Sequence, residues 1–391
     1  MKDYKYFVSG RIEFLGKHTD YCGGNSIVCA IDRGLFLKVT PNETNKFKLI
    51  NEDTKEVLEF NSDGSLKKND TNWSKYPQTV IERVSHNFTS KKLIGCDLSF
   101  RSDLPQAAGL SSSSALIIAT FAAVSNVNNL SEFSEYQQNI KSQEDLANYL
   151  GCLENGQDFS ELKGENGVGT FGGSQDQTAI ICCKVNQLSQ FSFCPVERKA
   201  DLLLPEDYVF VVGVCGVIAK KIGSAKDKYN RLSLLAKEIV NKFESHLSLS
   251  QVIEKYGFET IKAKLESKEL IDRLTQFYVE SFEIIPLVSE LLKQGKITEI
   301  GDLIDKSHKN TDEFLGNQTV ETNFLQRTAR EIGATAASAF GAGFGGSVYA
   351  LVKKNEAENF MIEWQNIYHK SFPQYQTKSS FFITKPSQSK I

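Results

Sequence analysis

Residues 105 to 116 read Pro-Gln-Ala-Ala-Gly-Leu-Ser-Ser-Ser-Ser-Ala-Leu and lead directly into an apolar stretch over residues 117 to 124. This pattern predicts a glycine turn that opens a buried helix. Gly109 permits a tight turn and a close approach of the backbone to a ligand. The serines lie where about four backbone N–H groups lack a partner within the helix, which suits a phosphate. A serine-rich N-cap on a buried helix explains the same residues equally well, because short glycine loops are weak motifs.

A second segment, residues 10 to 25, reads Gly-Arg-Ile-Glu-Phe-Leu-Gly-Lys-His-Thr-Asp-Tyr-Cys-Gly-Gly-Asn. Ammonium, imidazole, hydroxyl and carboxylate groups follow one another in its middle, in Lys17, His18, Thr19 and Asp20. Each hydroxyl group of a polyol needs both a donor and an acceptor, so this mixture favours the binding of a sugar. A solvated turn is the alternative, but turns rarely need so many different polar groups.

A third segment, residues 341 to 347, reads Gly-Ala-Gly-Phe-Gly-Gly-Ser and precedes a strand-like run over residues 348 to 352. Glycine at this density permits backbone conformations that other residues avoid, and it permits close approach to a ligand. A tight link between two strands is the simpler explanation. The segment therefore indicates a ligand site only in combination with the other two segments.

In this order and spacing, the three segments resemble the motifs of the GHMP small-molecule kinase superfamily and, within it, those of the galactokinases. The string over residues 10 to 24 is similar to the galactokinase signature. Residues 109 to 113 are similar to the ATP-phosphate loop of the superfamily, and residues 341 to 347 to its third motif. Only the first motif is specific, because kinases of mevalonate, homoserine and related alcohols share the other two.

The resemblance implies an α+β protein with the two-domain GHMP kinase fold. An N-terminal α+β domain would comprise residues 1–200, and a C-terminal ferredoxin-like domain with added helices would comprise residues 201–391. The active site would lie in the cleft between the domains. A change of pattern near residues 195 to 205, around Pro195 and Pro205, marks the expected boundary.

Hydrophobic periodicity supports a mixed fold. Strands are predicted over residues 6–8, 27–31, 35–39, 47–50, 57–60, 97–100, 177–183 and 208–217. Helices are predicted over residues 73–88, 131–153, 224–246, 268–294, 296–309, 319–332 and 355–370. A strand, a glycine loop and a second strand are predicted over residues 334–352.

The bulk composition is that of an ordinary globular protein, with 391 residues, 24% charged and 40% hydrophobic residues. A net charge of −3 gives no basic field that would attract nucleic acid or an acidic membrane. No apolar run approaches the about 20 residues of a membrane span, and the N-terminus lacks the apolar core of a signal peptide. The eight cysteines contain no Cys-x-x-Cys pair, which favours free buried thiols. We therefore expect a cytoplasmic monomer or weak homodimer with small-molecule partners only.

For catalysis, the resemblance points to Asp176 in the segment Gly172-Gly173-Ser174-Gln175-Asp176-Gln177. A carboxylate at this position can accept a hydrogen bond from the sugar's anomeric hydroxyl group and take its proton. Arg11 would pair with Asp176, lower its pKa and stabilise charge on the γ-phosphoryl group. Whether Asp176 is a true base or an orienting charge stays open, and a plain buried salt bridge is the structural alternative.

For ATP, the phosphate loop would consist of Gly109, Leu110, Ser111, Ser112 and Ser113. The resemblance places Trp73 and Tyr76 beside the adenine, where aromatic faces stack well on a base. The same two residues fit an ordinary helix core.

For Mg²⁺, the resemblance implies Ser113 and an acidic side chain at the end of a helix. Glu154 fits this second position best, although an exposed helix-end glutamate is equally plausible there. The stretch over residues 155 to 171 is longer than is usual in galactokinases, so Glu165 remains an alternative.

For the sugar, His18, Asp20 and Gly173 match galactokinase positions that hold galactose hydroxyl groups, and Tyr229 lies near a sugar-contacting tyrosine of the family. Lys17 departs from the family, which has glutamate near the sugar's O6. A donor-only ammonium in place of an acceptor-only carboxylate would attract a C6 carboxylate. This predicts tolerance of a uronic acid such as galacturonate, unless Lys17 points to solvent or to Glu13.

The expected activity is ATP-dependent phosphorylation of a monosaccharide at its anomeric hydroxyl group, with galactose favoured over other sugars. A uronate or pentose 1-kinase is the rival within the same class. A non-catalytic sugar-sensing relative is the rival from another class, and loss of the loop serines or of the aspartate would favour it. The chain retains both Ser111 to Ser114 and Asp176.

Overall fold

The computed structural model describes residues 3–63, 65–68, 73–105, 108–217 and 224–391, and of residues 66–68 and 224–226 it describes the backbone alone. Gln106 and Ala107 of the glycine–serine segment lie outside the described residues. The strands are β1 (Tyr4–Leu15), β2 (Asn25–Pro41), β3 (Lys46–Asn51), β4 (Val57–Asn61), β5 (Leu66–Lys68), β6 (Cys96–Ser102), β7 (Gln187–Ser192), β8 (Glu197–Leu203), β9 (Tyr208–Val214), β10 (Ala336–Phe340), β11 (Ser347–Lys353), β12 (Ser380–Thr384) and β13 (Pro386–Ser387).

The α-helices are α1 (Lys75–Asn87), α2 (Ser112–Asn128), α3 (Ser134–Asn139), α4 (Gln143–Asn155), α5 (Gln175–Cys182), α6 (Ser224–Asn241), α7 (Leu249–Tyr256), α8 (Phe258–Lys262), α9 (Lys268–Tyr278), α10 (Ile285–Lys293), α11 (Gly301–Asn310), α12 (Val320–Glu331) and α13 (Ala357–Ser371). Shorter 3₁₀ turns span Asp20–Cys22, Leu130–Glu132, Ile297–Glu299 and Pro373–Tyr375, and π-helical turns span Val279–Ile284 and Thr311–Leu315. Within the described ranges, none of the helices combines the length and the apolar character that a membrane crossing requires.

The first sheet is built around the long strand β2. Its strands follow the order β5-β4-β3-β6-β2-β7-β8, and both β1 and β13 also pair with β2. The sequence predicted two strands here, over residues 27–31 and 35–39, and the break between them is wrong. The 17 residues of β2 run on through residues 32 to 34. The interruption at this point is only a shift in the register with β1, where Ser9 pairs with Gly34 and Arg11 with Ala30.

Helix α2 lies at the centre of the N-terminal core. Its residues from Ser114 to Val124 are all buried, and it contacts β1, β2, β6, α1, α4 and α5. A helix that is apolar on all sides must be buried in this way. The predicted phosphate loop therefore enters a helix that the rest of the domain holds from every side.

The strand predicted over residues 177–183 is wrong, because this segment forms helix α5. Short apolar runs do not distinguish a strand from a buried helix by periodicity. The helix packs against α4, and Gly151 of α4 makes this contact close: a Cβ atom there would lie 2.4 Å from the Cβ atom of Ser174. Helix formation places Asp176 in the first turn of α5, next to α4 and α2.

The helix predicted over residues 131–153 is divided into α3 and α4. Ser142 begins α4 as an N-cap whose hydroxyl group accepts a hydrogen bond from the backbone N–H of Asp145 at 3.0 Å. The helix predicted over residues 268–294 is continuous but contains a π-helical turn between α9 and α10. Strands β7, β8 and β12 were not predicted, since their short runs alternate less clearly.

The second sheet has four antiparallel strands in the order β10-β11-β9-β12. With α12 before β10 and α13 between β11 and β12, this is the βαββαβ arrangement of a ferredoxin-like domain. Helices α6 to α11 are inserted between β9 and α12. The predicted α+β fold with added C-terminal helices is thus confirmed.

The two sheets share a core. Phe14 of β1 packs on Phe210 of β9 and Tyr349 of β11, with ring centroids 6.1 and 5.1 Å apart. The hydroxyl group of Tyr349 donates to the carbonyl oxygen of Phe14 at 2.8 Å. The chain changes sheet between β8 and β9, yet β13 returns to pair with β2, so the division at residue 200 stays a prediction.

Candidate active site

Arg11 and Asp176 form a buried ion pair in the cleft between the sheets. The Nε and Nη2 atoms of Arg11 lie 2.8 and 2.7 Å from Oδ1 of Asp176. The arginine side chain is 4% exposed and the aspartate side chain 16% exposed. Charge-assisted hydrogen bonds of this length are the strong ones in proteins. The two residues predicted to carry the chemistry are therefore in direct contact, although 165 residues separate them.

Arg11 also contacts the glycine–serine loop. Its Nη1 atom donates to the carbonyl oxygen of Gly109, and its backbone N–H donates to the carbonyl oxygen of Leu110 at 3.3 Å. On the other side of the pair, Oγ of Ser114 lies 3.4 Å from Oδ2 of Asp176. One guanidinium group thus connects β1, α5 and the start of α2.

A cavity of about 670 Å³ borders this loop, and we call it the loop cavity. Its walls include all of the residues predicted to bind ATP: Gly109, Leu110, Ser111, Ser112, Ser113, Trp73 and Tyr76. Ser111 has a φ angle of +60°, and its buried hydroxyl oxygen has no hydrogen-bond partner among the described residues. A buried hydroxyl group in that state is suited to a ligand.

Trp73 and Tyr76 combine core packing with a position at the wall of the loop cavity. They pack against the N-terminal core and also line the loop cavity. The indole N–H of Trp73 donates to Oε2 of Glu56 at 2.9 Å, and its ring stands edge-on to Phe100 at 5.5 Å. The tryptophan ring is thereby held in one orientation at the cavity wall.

A second cavity lies on the other side of the ion pair and is strongly polar, so we call it the polar cavity. It is lined by His18, Asp20, Gly173 and Tyr229, which were predicted to bind the sugar, together with Glu13, Tyr21, Glu154, Asn155, Thr170, Gly172, Gln175, Gln177 and Gly341. Arg11, Asp176 and Ala342 line both cavities. The ion pair therefore lies at the boundary between the two cavities.

His18 is held from two sides. Its Nε2 atom lies 3.1 Å from the carbonyl oxygen of Ala342, and its Nδ1 atom lies 2.9 Å from the hydroxyl group of Tyr21. A carbonyl oxygen only accepts, so Nε2 carries a hydrogen atom. Ala342 belongs to the third glycine segment, which thereby connects to the sugar segment. Burial raises the pKa of Tyr21, so its hydroxyl group stays neutral.

Asp20 and Gly173 are in close contact at the cavity wall. Oδ2 of Asp20 accepts the backbone N–H of Gln175 at 3.2 Å. A Cβ atom on Gly173 would lie only 2.5 Å from the same oxygen, which explains why this position carries glycine. The ring of Tyr229 lies 5.3 Å from that of His18 and completes this wall.

Three side chains of one helical face hold the backbone of the sugar segment. Oε1 of Glu280 accepts the backbone N–H of Gly16 at 2.8 Å. Nε2 of Gln276 donates to the carbonyl oxygen of Lys17 at 3.0 Å, and Nη2 of Arg273 donates to that of His18 at 2.6 Å. All three side chains are fully buried. These three residues were not predicted, although polar residues three and four positions apart in an apolar helix indicate a buried polar face.

Lys17 lies apart from both cavities. Its side chain is fully buried, and its Nζ atom lies 3.3 Å from Oγ of Ser307, which in turn donates to Oε1 of Glu280 at 3.1 Å. Burial, and then the charge of Lys17, lower the pKa of His308 to about 4. Four of the five residues predicted to bind the sugar therefore line the polar cavity, whereas the side chain of Lys17 lies outside it, in the core.

The two acidic candidates for the metal site have different surroundings. Glu154 is buried at the end of α4 and lines the polar cavity, where its Oε2 atom lies 2.5 Å from Nε2 of Gln177 and 3.0 Å from Oγ of Ser114. Glu165 instead contacts the imidazole ring of His86 near the surface. Ser114 and Gln177, which the sequence did not single out, support Glu154 directly.

The donor set around Glu154 fits magnesium. Mg²⁺ is usually held by one or two carboxylates together with substrate phosphates rather than by an all-protein cage. Glu154 supplies one carboxylate, and Ser113 lies at the wall of the adjoining loop cavity. In the described parts of the chain, no three or more His, Cys, Asp or Glu side chains are grouped to hold a metal by themselves.

Three family models match the chain. The chain matches the galactokinase galactose-binding signature over residues 2–41, the N-terminal domain of GHMP kinases over residues 75–184 and their C-terminal domain over residues 288–370. Their boundaries contain the sugar segment, the phosphate loop with Asp176, and the third glycine segment.

Comparisons with whole proteins extend over nearly the full chain. A galactokinase of Fusobacterium nucleatum is 26% identical over 389 residues, covering 97% of this chain and 92% of that protein. A galactokinase of Thermococcus kodakarensis is 27% identical over 388 residues and covers 98% of each chain. The crystal structure of Lactococcus lactis galactokinase complexed with galactose has the same fold, with a TM-score of 0.83, 24% identity, and coverage of 100% of this chain and 95% of that one.

The fold is that of a small-molecule kinase, and the chain belongs to the GHMP kinase superfamily. Within the superfamily it is a galactokinase-like sugar kinase, because its sugar segment carries the galactokinase signature. The expected class of enzyme is thus confirmed.

The buried hydrogen bond from Arg273 to the carbonyl oxygen of His18 should contribute to the stability of the protein. Replacing it in Arg273→Met leaves the carbonyl oxygen of His18 and the amide of Gln276 without their partner in the core. We expect the free energy of unfolding to fall by about 3 kcal/mol, since buried polar groups are costly when unpaired. Denaturant unfolding measures this loss.

The matched control is Arg327→Met. Arg327 is 58% exposed and pairs with Glu331 on the surface of α12, so the expected change is within about 0.5 kcal/mol. If the free energy of unfolding fell equally in the two variants, Arg273 would not stabilise the protein through its contacts with the sugar segment.

Proposed function

We propose that this protein transfers the γ-phosphoryl group of ATP to the anomeric hydroxyl group of galactose and forms galactose 1-phosphate. The observation that carries the proposal is the ion pair between Arg11 and Asp176, which borders both the polar cavity and the loop cavity. A sugar in the first and a triphosphate in the second would meet at this pair.

The sugar would occupy the polar cavity with its anomeric hydroxyl group at Asp176. Both guanidinium hydrogen bonds of Arg11 fall on Oδ1, and Ser114 approaches Oδ2. The carboxylate is therefore fixed in orientation and can accept the hydrogen bond of the attacking hydroxyl group. Such a carboxylate takes up the proton as the new bond to phosphorus forms. His18, Asp20 and Tyr229 would hold other hydroxyl groups of the sugar ring.

The triphosphate of ATP would lie along the glycine–serine loop. Phosphoryl transfer depends mainly on positioning and on neutralising charge at the transferring group. The N-terminus of α2 supplies unpaired backbone N–H groups, and Ser111 supplies a buried hydroxyl group. Arg11 adds a full positive charge at the boundary of the two cavities, where the transferring group would pass.

Magnesium would be held by Glu154 and by Ser113, with the phosphate oxygens of ATP as further ligands. When bound, the ion would neutralise negative charge on the phosphates. Gln177 donates to the carboxylate of Glu154 and keeps it turned towards the polar cavity. Glu165, which contacts His86, is the weaker candidate.

Galactose is the sugar that the comparisons support. The curated relatives carry the name galactokinase, and the similar solved structure holds galactose. The uronate alternative depended on Lys17 facing the sugar, and its ammonium group contacts Ser307 outside the cavities instead. The sensor alternative would need a lost catalytic group, whereas the Arg11–Asp176 pair is in place.

Four further assignments belong to the same proposal. The enzyme would act in the cytoplasm, where ATP is supplied, and its partners would be small molecules rather than nucleic acid or membrane. It would be a monomer or a weak homodimer. Its N-terminal domain would comprise residues 1–200 and its C-terminal domain residues 201–391.

The activity test is an ATP-coupled assay against galactose, galacturonate, glucose and arabinose, with the product identified by ³¹P NMR. We expect galactose to have the highest kcat/KM and the phosphate to be on the anomeric carbon. If galacturonate had the highest kcat/KM, it and not galactose would be the substrate. ATP turnover with none of the sugars would contradict a sugar kinase.

Replacing the catalytic carboxylate in Asp176→Asn should lower kcat by about 10³-fold, since an amide cannot take the proton and loses the charge that orients the hydroxyl group. Galactose and ATP should still bind, which isothermal titration calorimetry measures. Retention of more than a tenth of the kcat would show that another group performs this role.

Glu154→Gln should raise the Mg²⁺ concentration for half-maximal activity by about tenfold or more, since the variant loses one negative charge beside the phosphates. Glu165→Gln is the matched control and should leave that concentration unchanged. The reverse pattern would assign the metal to Glu165.

A further inference from the structure

Glu13 lies in the sugar-binding region without a role in the mechanism described above. It follows Arg11 by two residues on β1, so both side chains lie on one face of the strand. Glu13 is 3% exposed and lines the polar cavity together with Arg11, Asp20 and Asp176. A carboxyl group at this depth requires an explanation, because glutamate is rarely buried without a partner.

The carboxyl group of Glu13 is not fully satisfied by the protein. Its Oε1 atom is buried and has no hydrogen-bond partner among the described residues. Arg11 and Lys17 are the cations nearest to Glu13 in the sequence, but Arg11 pairs with Asp176 and the ammonium group of Lys17 lies beside Ser307. No ion pair involving Glu13 occurs in the part of the chain that the structure describes. Buried polar groups without partners are few in native proteins, and each requires an explanation such as a catalytic role or a bound group.

We propose that Glu13 is a further sugar-binding residue, whose carboxyl group hydrogen-bonds to a hydroxyl group of the bound monosaccharide and helps to select it. The inference rests on the proposed function, because it assigns the polar cavity to a sugar. It adds to the predicted set a residue whose side chain lies beside Arg11 on the cavity wall.

Burial at the cavity wall favours a neutral carboxyl group in this role. Burial raises the pKa of Glu13 to about 8, against the opposing effect of the cations Lys17 and Arg11, and the anions Asp176 and Asp20 raise it further. At pH 7 Glu13 is therefore mostly protonated. A carboxylic acid both donates and accepts, as a sugar hydroxyl group does, and it adds no negative charge near the phosphates.

The decisive experiment measures coupling between Glu13 and single hydroxyl groups of the sugar. KM and kcat are determined for galactose and for its 2-, 3-, 4- and 6-deoxy derivatives with wild type, Glu13→Ala and Glu13→Gln. In wild type, removal of the partner hydroxyl group should raise KM by about tenfold, a typical loss for one hydrogen bond. Glu13→Ala should raise KM for galactose by about tenfold. With the deoxy sugar that lacks the partner hydroxyl group, Glu13→Ala and wild type should have the same KM.

The neutral isostere separates contact from structure. Glu13→Gln keeps a donor and an acceptor, so its KM for galactose should stay within about threefold of wild type. Glu59→Ala is the matched control, because Glu59 is an exposed glutamate in the same sheet, on β4. It should leave every KM unchanged. The KM for ATP should be unchanged in all variants.

If Glu13→Ala does not fold, the pH dependence of Glu13→Gln decides the question. A group with a raised pKa in the folded protein loses its proton as the pH rises through about 8. The KM of wild type for galactose should then rise between pH 7 and pH 9, while that of Glu13→Gln should stay flat. Identical profiles would overturn the proposal.

Two results separate this inference from the function on which it rests. Wild-type activity on galactose, with the same loss from Glu13→Ala for every deoxy sugar, would overturn the role of Glu13 and leave the kinase intact. Wild-type enzyme that phosphorylates no sugar of the series would overturn the proposed function, and the role of Glu13 would fall with it.

Discussion

The contact between the guanidinium group of Arg11 and the carboxylate of Asp176 is the constraint on which the rest of the site depends. It joins the first strand of the chain to the first turn of α5, and through Gly109 it reaches the loop that opens α2. Charge-assisted hydrogen bonds in a buried place lose little to solvent screening. One arginine can therefore set the position of a carboxylate relative to a phosphate loop.

The sugar segment needs support because its backbone is irregular. His18 has a φ angle of +58°, which costs a non-glycine residue roughly 1–2 kcal/mol. Hydrogen bonds from the C-terminal helices offset this cost. They join Arg273, Gln276 and Glu280 to three successive backbone positions of the sugar segment. The sugar segment is thus held in place only when both halves of the protein are folded, because its backbone partners lie on the added helices between β9 and α12.

Much of the fold follows from patterns that are local in the chain. The long amphipathic helices and the paired strands around the third glycine segment could be predicted, since period and glycine content indicate them. Helix α5 could not, because a short apolar run looks the same in a buried helix and in a buried strand. Packing against α2 and Gly151 of α4 decides it. The continuity of β2 through residues 32 to 34 depends in the same way on its pairing with β1.

The sequence by itself determined the class of protein and the chemical groups that it brings to its site, because the motifs around Arg11, Gly109 and Asp176 are short and each is encoded within a few residues. Only the tertiary structure decided which way the side chains point. Lys17 turns into the core towards Ser307, and Glu13 lies on the cavity wall beside Arg11. These directions arise from strand register and from partners more than 250 residues away, which no local pattern contains.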